Sequence, residues 1–304
     1  MKEITKELSI VIITMNRKEQ LKEALQSCCE CQLPNESEII IIDNGSTDGT
    51  YEMIVGFFEN VYIPYKFIKL EENIGIAEGR NIGLRTAVGK YVYNMDDDSI
   101  ICPKHKDDFF ILSINQMKHN EHYATLTTRV YDECLGRWRE SKKGKNYSSD
   151  NPLVFAFHGN TYFIRNDIEG LEYVPTIRYG YEDVYASILV LDKGYINALY
   201  SEVNTIHKPL VNKWIKGSES YTDVLIKGTA GIMTAKYLLY PRIYIPALYI
   251  GFFLRWVKYL RNDKGSLRKS YDLFRNQTNG MTVKKIKHRT VMKILCEFGL
   301  TSTV

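Results

Sequence analysis

No apolar run in this chain is long enough to cross a bilayer. The longest, residues 243–254, spans about twelve residues, whereas a membrane helix needs about 20. The first seven residues hold no apolar signal region, which predicts that the body stays in the cytosol. Cysteine is sparse, six residues with no paired CxxC motifs, which argues against a disulfide framework and fits a reducing compartment. Cys28, Cys29 and Cys31 fall on an expected helix, where small apolar packing accounts for them. Glycine-rich phosphate loops are missing too. Gly75, Gly79 and Gly83 are spaced by four, which is neither G-x-G-x-x-G nor a P-loop, so dinucleotide and Walker-type binding are not indicated.

What is present is an ordinary globular composition, 44% hydrophobic and 25% charged, in 304 residues. That length suffices for one large domain or two small ones. Net charge is only +4, but residues 255–293 hold 12 Lys/Arg against Asp263 and Asp272, which leaves +10 there and −6 elsewhere. A basic tail on an acidic body points to an anionic partner surface, membrane or nucleic acid.

Two periodicities alternate over the first hundred residues. Short apolar runs, β-branched at 8–13 and 38–42 and aromatic at 65–70 and 91–95, predict strands. Helices are expected between them: one capped by Asn16 and stopped by Pro34, one over 50–60 and one over 76–87. Such βαβ alternation builds a parallel sheet of the nucleotide-binding kind. Further on, residues 103–120 and 184–193 read as helices, the second capped by Gly194. Residues 153–157, 161–164 and 196–200 read as strands, and 137–152 as a polar loop. From 237 to 260 the chain is rich in Tyr and Phe.

Asp96, Asp97 and Asp98 close the strand at 91–95. Adjacent carboxylates repel, so a cation is expected to offset them; an acidic turn in solvent is the ordinary alternative. Mg²⁺ and Mn²⁺ favour carboxylate oxygens and often bind through one or two of them, with substrate phosphates completing the shell. Asp43 ends the second strand ahead of Gly45 and Gly49. It can accept hydrogen bonds from a ligand's N–H groups, or form an Asx turn and helix cap. Arg80 can pair with a phosphate bidentately, although its glycine neighbours also suit close helix–sheet packing. Glu182 and Asp183 open a helix, either to favour its dipole or as a general base facing the cleft. His207 can offer a neutral imidazole to the same ion.

Taken in order, these features resemble the family 2 glycosyltransferases of the GT-A fold over residues 8–210. The matching motifs are S-I-V-I-I-T-M-N-R from Ser9, D-N-G-S-T-D-G-T from Asp43, E-N-I-G-I-A-E-G-R-N-I-G from Glu72 and G-K-Y-V-Y-N-M-D-D-D from Gly89. The pair Glu182-Asp183 and then His207 follow. The resemblance implies an α/β fold with a Rossmann-like mixed sheet flanked by helices. Residues 1–99 would form the nucleotide-sugar half, 100–210 the acceptor and catalytic half, and 211–304 a helical, aromatic and basic extension. It implies inverting transfer from a nucleoside diphosphate sugar, UDP-sugar favoured, to a glycan or lipid-linked hydroxyl in surface polysaccharide synthesis, with Mn²⁺ or Mg²⁺ as cofactor.

By the same resemblance, Thr14, Asn16 and Arg17 line the nucleobase end and Asp43 reads the base edge. Asn73, Arg80 and Asp97 belong with the nucleotide-sugar contacts, and Asp96 reaches the ribose or shares the metal. Asp98 is the principal metal ligand and His207 the second. Asp183 is the general base, with Glu182 as second choice. His158 and Asn160 are candidates for sugar contact, and residues 137–152 for a lid over the donor. The extension fits either a peripheral anchor at the inner face of the membrane or a packed helical element or dimer contact. A non-catalytic sugar-nucleotide or glycan-binding module on this scaffold is the alternative from a different class. No motif for specific nucleic-acid recognition accompanies the basic tail.

Overall fold

The computed structural model describes residues 3–145, 153–209 and 219–304. Strands β1 (Lys6–Thr14), β2 (Ser37–Asp43), β3 (Tyr65–Lys69) and β4 (Gly89–Asp96) run parallel. Helices α1 (Lys18–Cys29), α2 (Thr50–Phe58) and α3 (Ile76–Thr86) connect them. The chain continues through β5 (Ser99–Ile101), α4 (Phe109–His119), β6 (Tyr123–Asp132), β7 (Arg137–Trp138), β8 (Leu153–Val154), β9 (Thr161–Arg165), α5 (Glu182–Asp192) and β10 (Ile196–His207). Among the described residues, all ten strands join one mixed sheet in the order β3-β2-β1-β4-β9-β6-β10-β5, with β7 on β6 and β8 on β10.

Alternation along the strands builds the layers. Leu8, Ile10 and Ile12 of β1 pack with Leu21 and Leu25 of α1, Ile54 of α2 and Phe109 and Phe110 of α4. Val11 belongs to the other face, with Ile40, Ala77 of α3 and Ala186 of α5. Cys28 lies fully buried in the first of these cores, in the packing role its helix position predicts. Gly83 is required by close approach: a Cβ there would sit 2.4 Å from Val11 Cγ1, so this glycine seats α3 on the sheet.

Register then assembles the site. Thr14 is opposite Asp43, and Ile13 is opposite Asp96, so β1, β2 and β4 end together. His207 is opposite Asp132 of β6 on one side and Ser99 of β5 on the other. Acids and a histidine from distant segments therefore meet at the carboxyl edge of the sheet, where open α/β folds place their ligands.

Helices α6 (Glu219–Leu239), α7 (Ile245–Leu260), α8 (Ser266–Thr278), α9 (His288–Phe298) and α10 (Leu300–Thr303) make up the C-terminal part. They share a core with α5: Val184, Tyr185 and Ile188 pack with Met233, Leu239, Phe252, Phe274, Ile294 and Phe298. No helix among the described residues is long and apolar enough to cross a membrane.

Several local expectations need correction. Asn16 does not cap α1; it has φ +52 and its Oδ1 accepts a hydrogen bond from the Thr47 amide at 2.7 Å, tying the first two loops together. The helix expected over 103–120 is a short 3₁₀ turn at Pro103–His105 followed by α4, because proline starts a helix but the turn at 106–108 interrupts it. The strand expected over 153–157 ends at Val154. Sequence patterning assigns nothing to Tyr123–Asp132, yet it is a ten-residue central strand. Of the expected lid, 146–152 lie outside the described residues; Arg137–Trp138 pair with β6 and Lys143 bridges Val154.

Candidate active site

A cavity of about 230 Å³ opens at this sheet edge, lined among others by Arg17, Arg80, Asp96, Asp98, Asn160, Glu182, Asp183 and His207. Asp98 is buried at the β4–β5 turn, and its backbone oxygen accepts from the Lys208 amide at 2.7 Å, which holds the end of β10 beside it. Asp98 Oδ1 has no hydrogen-bond partner and lies 3.5 Å from His207 Nε2. His207 Nδ1 sits 3.2 Å from Asp132 Oδ2 and 2.8 Å from an Arg139 nitrogen. Burial, reinforced by Arg139, lowers the His207 pKa and keeps the ring neutral. In the tautomer whose Nδ1–H donates to Asp132, the Nε2 lone pair faces Asp98; in the other, Nδ1 accepts from Arg139 and Nε2–H points to Asp98.

An orphaned carboxylate oxygen beside a neutral imidazole is a donor pair that suits Mn²⁺ or Mg²⁺. No cluster of three such side chains forms among the described residues. Two protein ligands are nonetheless compatible with a hard cation that takes substrate phosphates as the rest of its shell.

The other acids are held by arginines. Arg17 bonds Asp97 Oδ1 and Asp98 Oδ2, each at 2.9 Å, while Thr14 Oγ1 donates to Asp97 Oδ2 at 2.8 Å. Burial pushes Asp97 up to about 6 against the pull of Arg17. Arg80 is fully buried and bonds Asp96 at 3.0 Å as well as Glu182 and the Gly159 carbonyl. Burial pushes Asp96 up to about 7, with Arg80 opposing and Asp98 and Asp97 adding to it. Arg80 thus braces α3, β4 and α5 against one another from inside the cavity wall.

Asp183 is half-buried at the start of α5, and burial followed by the adjacent Glu182 charge pushes it up to about 7. The turn before it is unusual: Gly180 and Tyr181 both have left-handed backbones, φ +84 and +69. For a tyrosine that conformation is strained and persists only where packing enforces it. Helix α6 does so. A Cβ on Gly231 would meet the Gly180 carbonyl oxygen at 2.6 Å, and one on Gly228 would meet the Tyr181 ring at 2.4 Å. Gly231→Ala is therefore expected to shift the turn carrying Asp183 and reduce kcat by roughly tenfold or more, since small misplacements of reacting groups are costly. Steady-state kinetics set beside donor affinity checks this: an unchanged kcat would contradict the clamp.

Other expected positions lie around this centre. Asp43 Oδ1 accepts from the Ser46 amide at 2.8 Å, while Oδ2 is buried with no partner. Asn73 is exposed, with its Oδ1 accepting from the Gly75 amide at 2.8 Å and its amide 2.9 Å from Met15. Asp43, at the end of β2, and Asn16 and Asn73, on neighbouring loops, do not line the cavity. Asn160 does, and its Oδ1 has no partner. His158 does not: it bonds Ser141 at 2.8 Å, and burial pushes its pKa down to about 4. Asp132 and Arg139 escape the sequence reading; the threonine-rich pattern of β6, ending in an acid as β2 and β4 do, is the signal that could have found Asp132.

Residues 9–170 match the family described as Glycosyl transferase family 2. An uncharacterized glycosyltransferase of Bacillus subtilis (strain 168), YfnE, is 39% identical over 141 residues, covering 44% of this chain and 34% of the relative. The poly-beta-1,6-N-acetyl-D-glucosamine synthase of Staphylococcus epidermidis (strain RP62A) is 34% identical over 120 residues, 40% of this chain and 27% of the relative. The matched stretches thus span about a third or less of those relatives' own lengths. The crystal structure of GalNAc-T7 with UDP, GalNAc and Mn²⁺ has the same fold, with a TM-score of 0.64 over 91% of this chain and 56% of that one at 14% identity.

Proposed function

The chain belongs to glycosyl transferase family 2, and from that premise we propose that it moves a sugar from a nucleoside diphosphate sugar, UDP-sugars favoured, to a hydroxyl of a glycan or lipid-linked acceptor, with inversion. The setting proposed is surface polysaccharide synthesis, which the likeness to a polysaccharide synthase supports. One observation carries the reading: Asp98, with its orphaned oxygen beside His207, and Asp183 line a single cavity.

Asp98 and His207 would hold Mn²⁺ or Mg²⁺, which supplies a Lewis acid for the charge developing on the departing diphosphate. Asp43 offers its free oxygen to an N–H of the nucleobase, and Thr14, Asn16, Arg17 and Asn73 frame that end. Asp183 takes the proton of the acceptor hydroxyl as its oxygen attacks the anomeric carbon. The bond from that carbon to the phosphate oxygen breaks, and its electron pair leaves with the nucleoside diphosphate. Both acids line the cavity, but Asp183 is favoured because Glu182 is buried in its ion pair with Arg80, whereas Asp183 is only half-buried. Asn160, whose Oδ1 has no partner in the cavity lining, would bond a sugar hydroxyl. Screening UDP-, GDP- and dTDP-sugars with Mn²⁺ by thermal shift and donor hydrolysis tests the assignment. A UDP-sugar is expected to stabilise the protein and be slowly hydrolysed; no response across the panel would contradict it.

A further inference from the structure

Two contacts on His207 cannot be satisfied together. Its Nδ1 is 2.8 Å from Arg139 Nη2, a donor, and 3.2 Å from Asp132 Oδ2, an acceptor. A neutral ring nitrogen either donates or accepts, so each contact belongs to a different tautomer. With Nδ1 accepting from Arg139, the ring proton is on Nε2 and points to Asp98 Oδ1, 3.5 Å away. With Nδ1–H donating to Asp132, Nε2 carries the lone pair that a cation needs. Arg139 opposes this second form twice. Its donor faces another donor at Nδ1, and its charge, also 3.4 Å from Nε2, repels an entering cation.

The surroundings set what can move. His207 ends β10 between Asp132 of β6 and Ser99 of β5, so its backbone is held on both sides. The Asp132 side chain is buried, and its Oδ2 accepts from Arg139 Nε at 3.3 Å and Nη2 at 3.1 Å. The Arg139 amide donates to the Val130 carbonyl at 2.8 Å, which pins its backbone to β6. Its side chain is 27% exposed and lines the same cavity as Asp98 and His207. A turn about its outer bonds would leave Nε on Asp132 and carry the Nη groups from the ring to the cavity. There a guanidinium suits a phosphate, which it can bond bidentately.

We propose that Asp132 and Arg139 form a tautomer switch on His207. Arg139 holds the ring in the form that refuses a cation, Asp132 selects the form that ligates one, and the released guanidinium binds the donor diphosphate. This rests on the cation role given to Asp98 and His207, and adds to it a positioning residue, Asp132, and a diphosphate contact, Arg139. The test is calorimetric titration of Mn²⁺ alone, and of UDP with saturating Mn²⁺ or with chelator, into the full chain and two variants. Nitrogen NMR of histidine-labelled protein reads the tautomer, with His207→Gln assigning the signal. The wild type is expected to pass from the Nε2–H form in chelator to the Nδ1–H form with Mg²⁺ and UDP. In Asp132→Asn the amide can present either of its groups to Nδ1 and no longer selects. Its Mn²⁺ affinity should fall about tenfold to a hundredfold, the usual effect of losing such a partner, while UDP binding in chelator stays unchanged. Arg139→Met should move two affinities in opposite directions. Mn²⁺ alone should bind at least about threefold tighter as a like charge is removed, and UDP with Mn²⁺ at least about tenfold weaker as a phosphate partner is lost. A merely structural role would not raise one and lower the other. Mn²⁺-dependent UDP binding in the wild type with either variant unchanged, both Arg139→Met affinities falling together, or no tautomer change on adding ligands would overturn the switch. UDP binding in the wild type that ignores Mn²⁺ would instead overturn the cation role, and the switch with it.

Discussion

Asp183→Asn is expected to lower sugar transfer at least about a hundredfold, within the usual span for a lost general base, and to leave donor binding unchanged. The amide keeps the size and half-buried position of the carboxylate but cannot take a proton from the acceptor. The pH profile adds a second signature. Burial and Glu182 push Asp183 up to about 7, and a base acts only when deprotonated. The rate should therefore climb as pH rises through about 7 and level off above it. In the Asn variant that limb should disappear. Near-normal turnover of Asp183→Asn, with its rising limb intact, would move the base elsewhere, Glu182 being the first alternative.

Arg80→Met is expected to destabilise the protein by roughly 3–5 kcal/mol, the range for removing one partner of a buried ion pair. In this fold such a loss corresponds to a drop of roughly 5–10 °C in Tm. The reason is location: the Arg80 side chain is 2% exposed and compensates Asp96 and Glu182 together, while its glycine neighbours seat α3 on the sheet. Methionine keeps the bulk and leaves both acids without their cation. Arg17→Met is the matched comparison. Its side chain is 36% exposed, so solvent screens its pairs with Asp97 and Asp98, and a loss of about 1 kcal/mol or less is expected. Equal unfolding midpoints for Arg80→Met and wild type, by denaturation followed at two probes, would contradict the bracing role.

The N-terminal half was legible because its signals are local. β1 and β2 are short β-branched runs and β3 and β4 short apolar, aromatic ones, separated by helical segments, and parallel pairing of such units places Asp43 and Asp96 at one edge. The acids of α5 and His207 of β10 were visible only as residue types in order. What joins them is register, Ile13 with Asp96 and His207 with Asp132, which no periodicity encodes. β6 went unassigned because its polar threonines, Thr125, Thr127 and Thr128, mask burial: all three are inaccessible, with Thr125 bonded to Asn197 and Thr127 directed to the Thr161 carbonyl. With β6 went Asp132 and the brace on His207. Arg80 read as a phosphate ligand; it does line the cavity, but its burial against Asp96 and Glu182 depends on tertiary packing that no sequence pattern signals. The extension's aromatic, basic composition left an anchor and a packed helical element both open; many of its large side chains share a core with α5, while Ile250, Phe253 and Leu254 of α7, Tyr271 of α8, Met292 of α9 and Leu300 of α10 stay exposed.

The central claim is that Asp98 and His207 take a divalent cation that grips the diphosphate of a nucleotide. Calorimetric titration of UDP into the protein, with Mn²⁺ and with chelator, tests it most directly when repeated on Asp98→Ala. Binding that depends on Mn²⁺ in the wild type and is lost in the variant is the predicted result. Equal affinity with and without the metal, or metal-dependent affinity unchanged by Asp98→Ala, would contradict it.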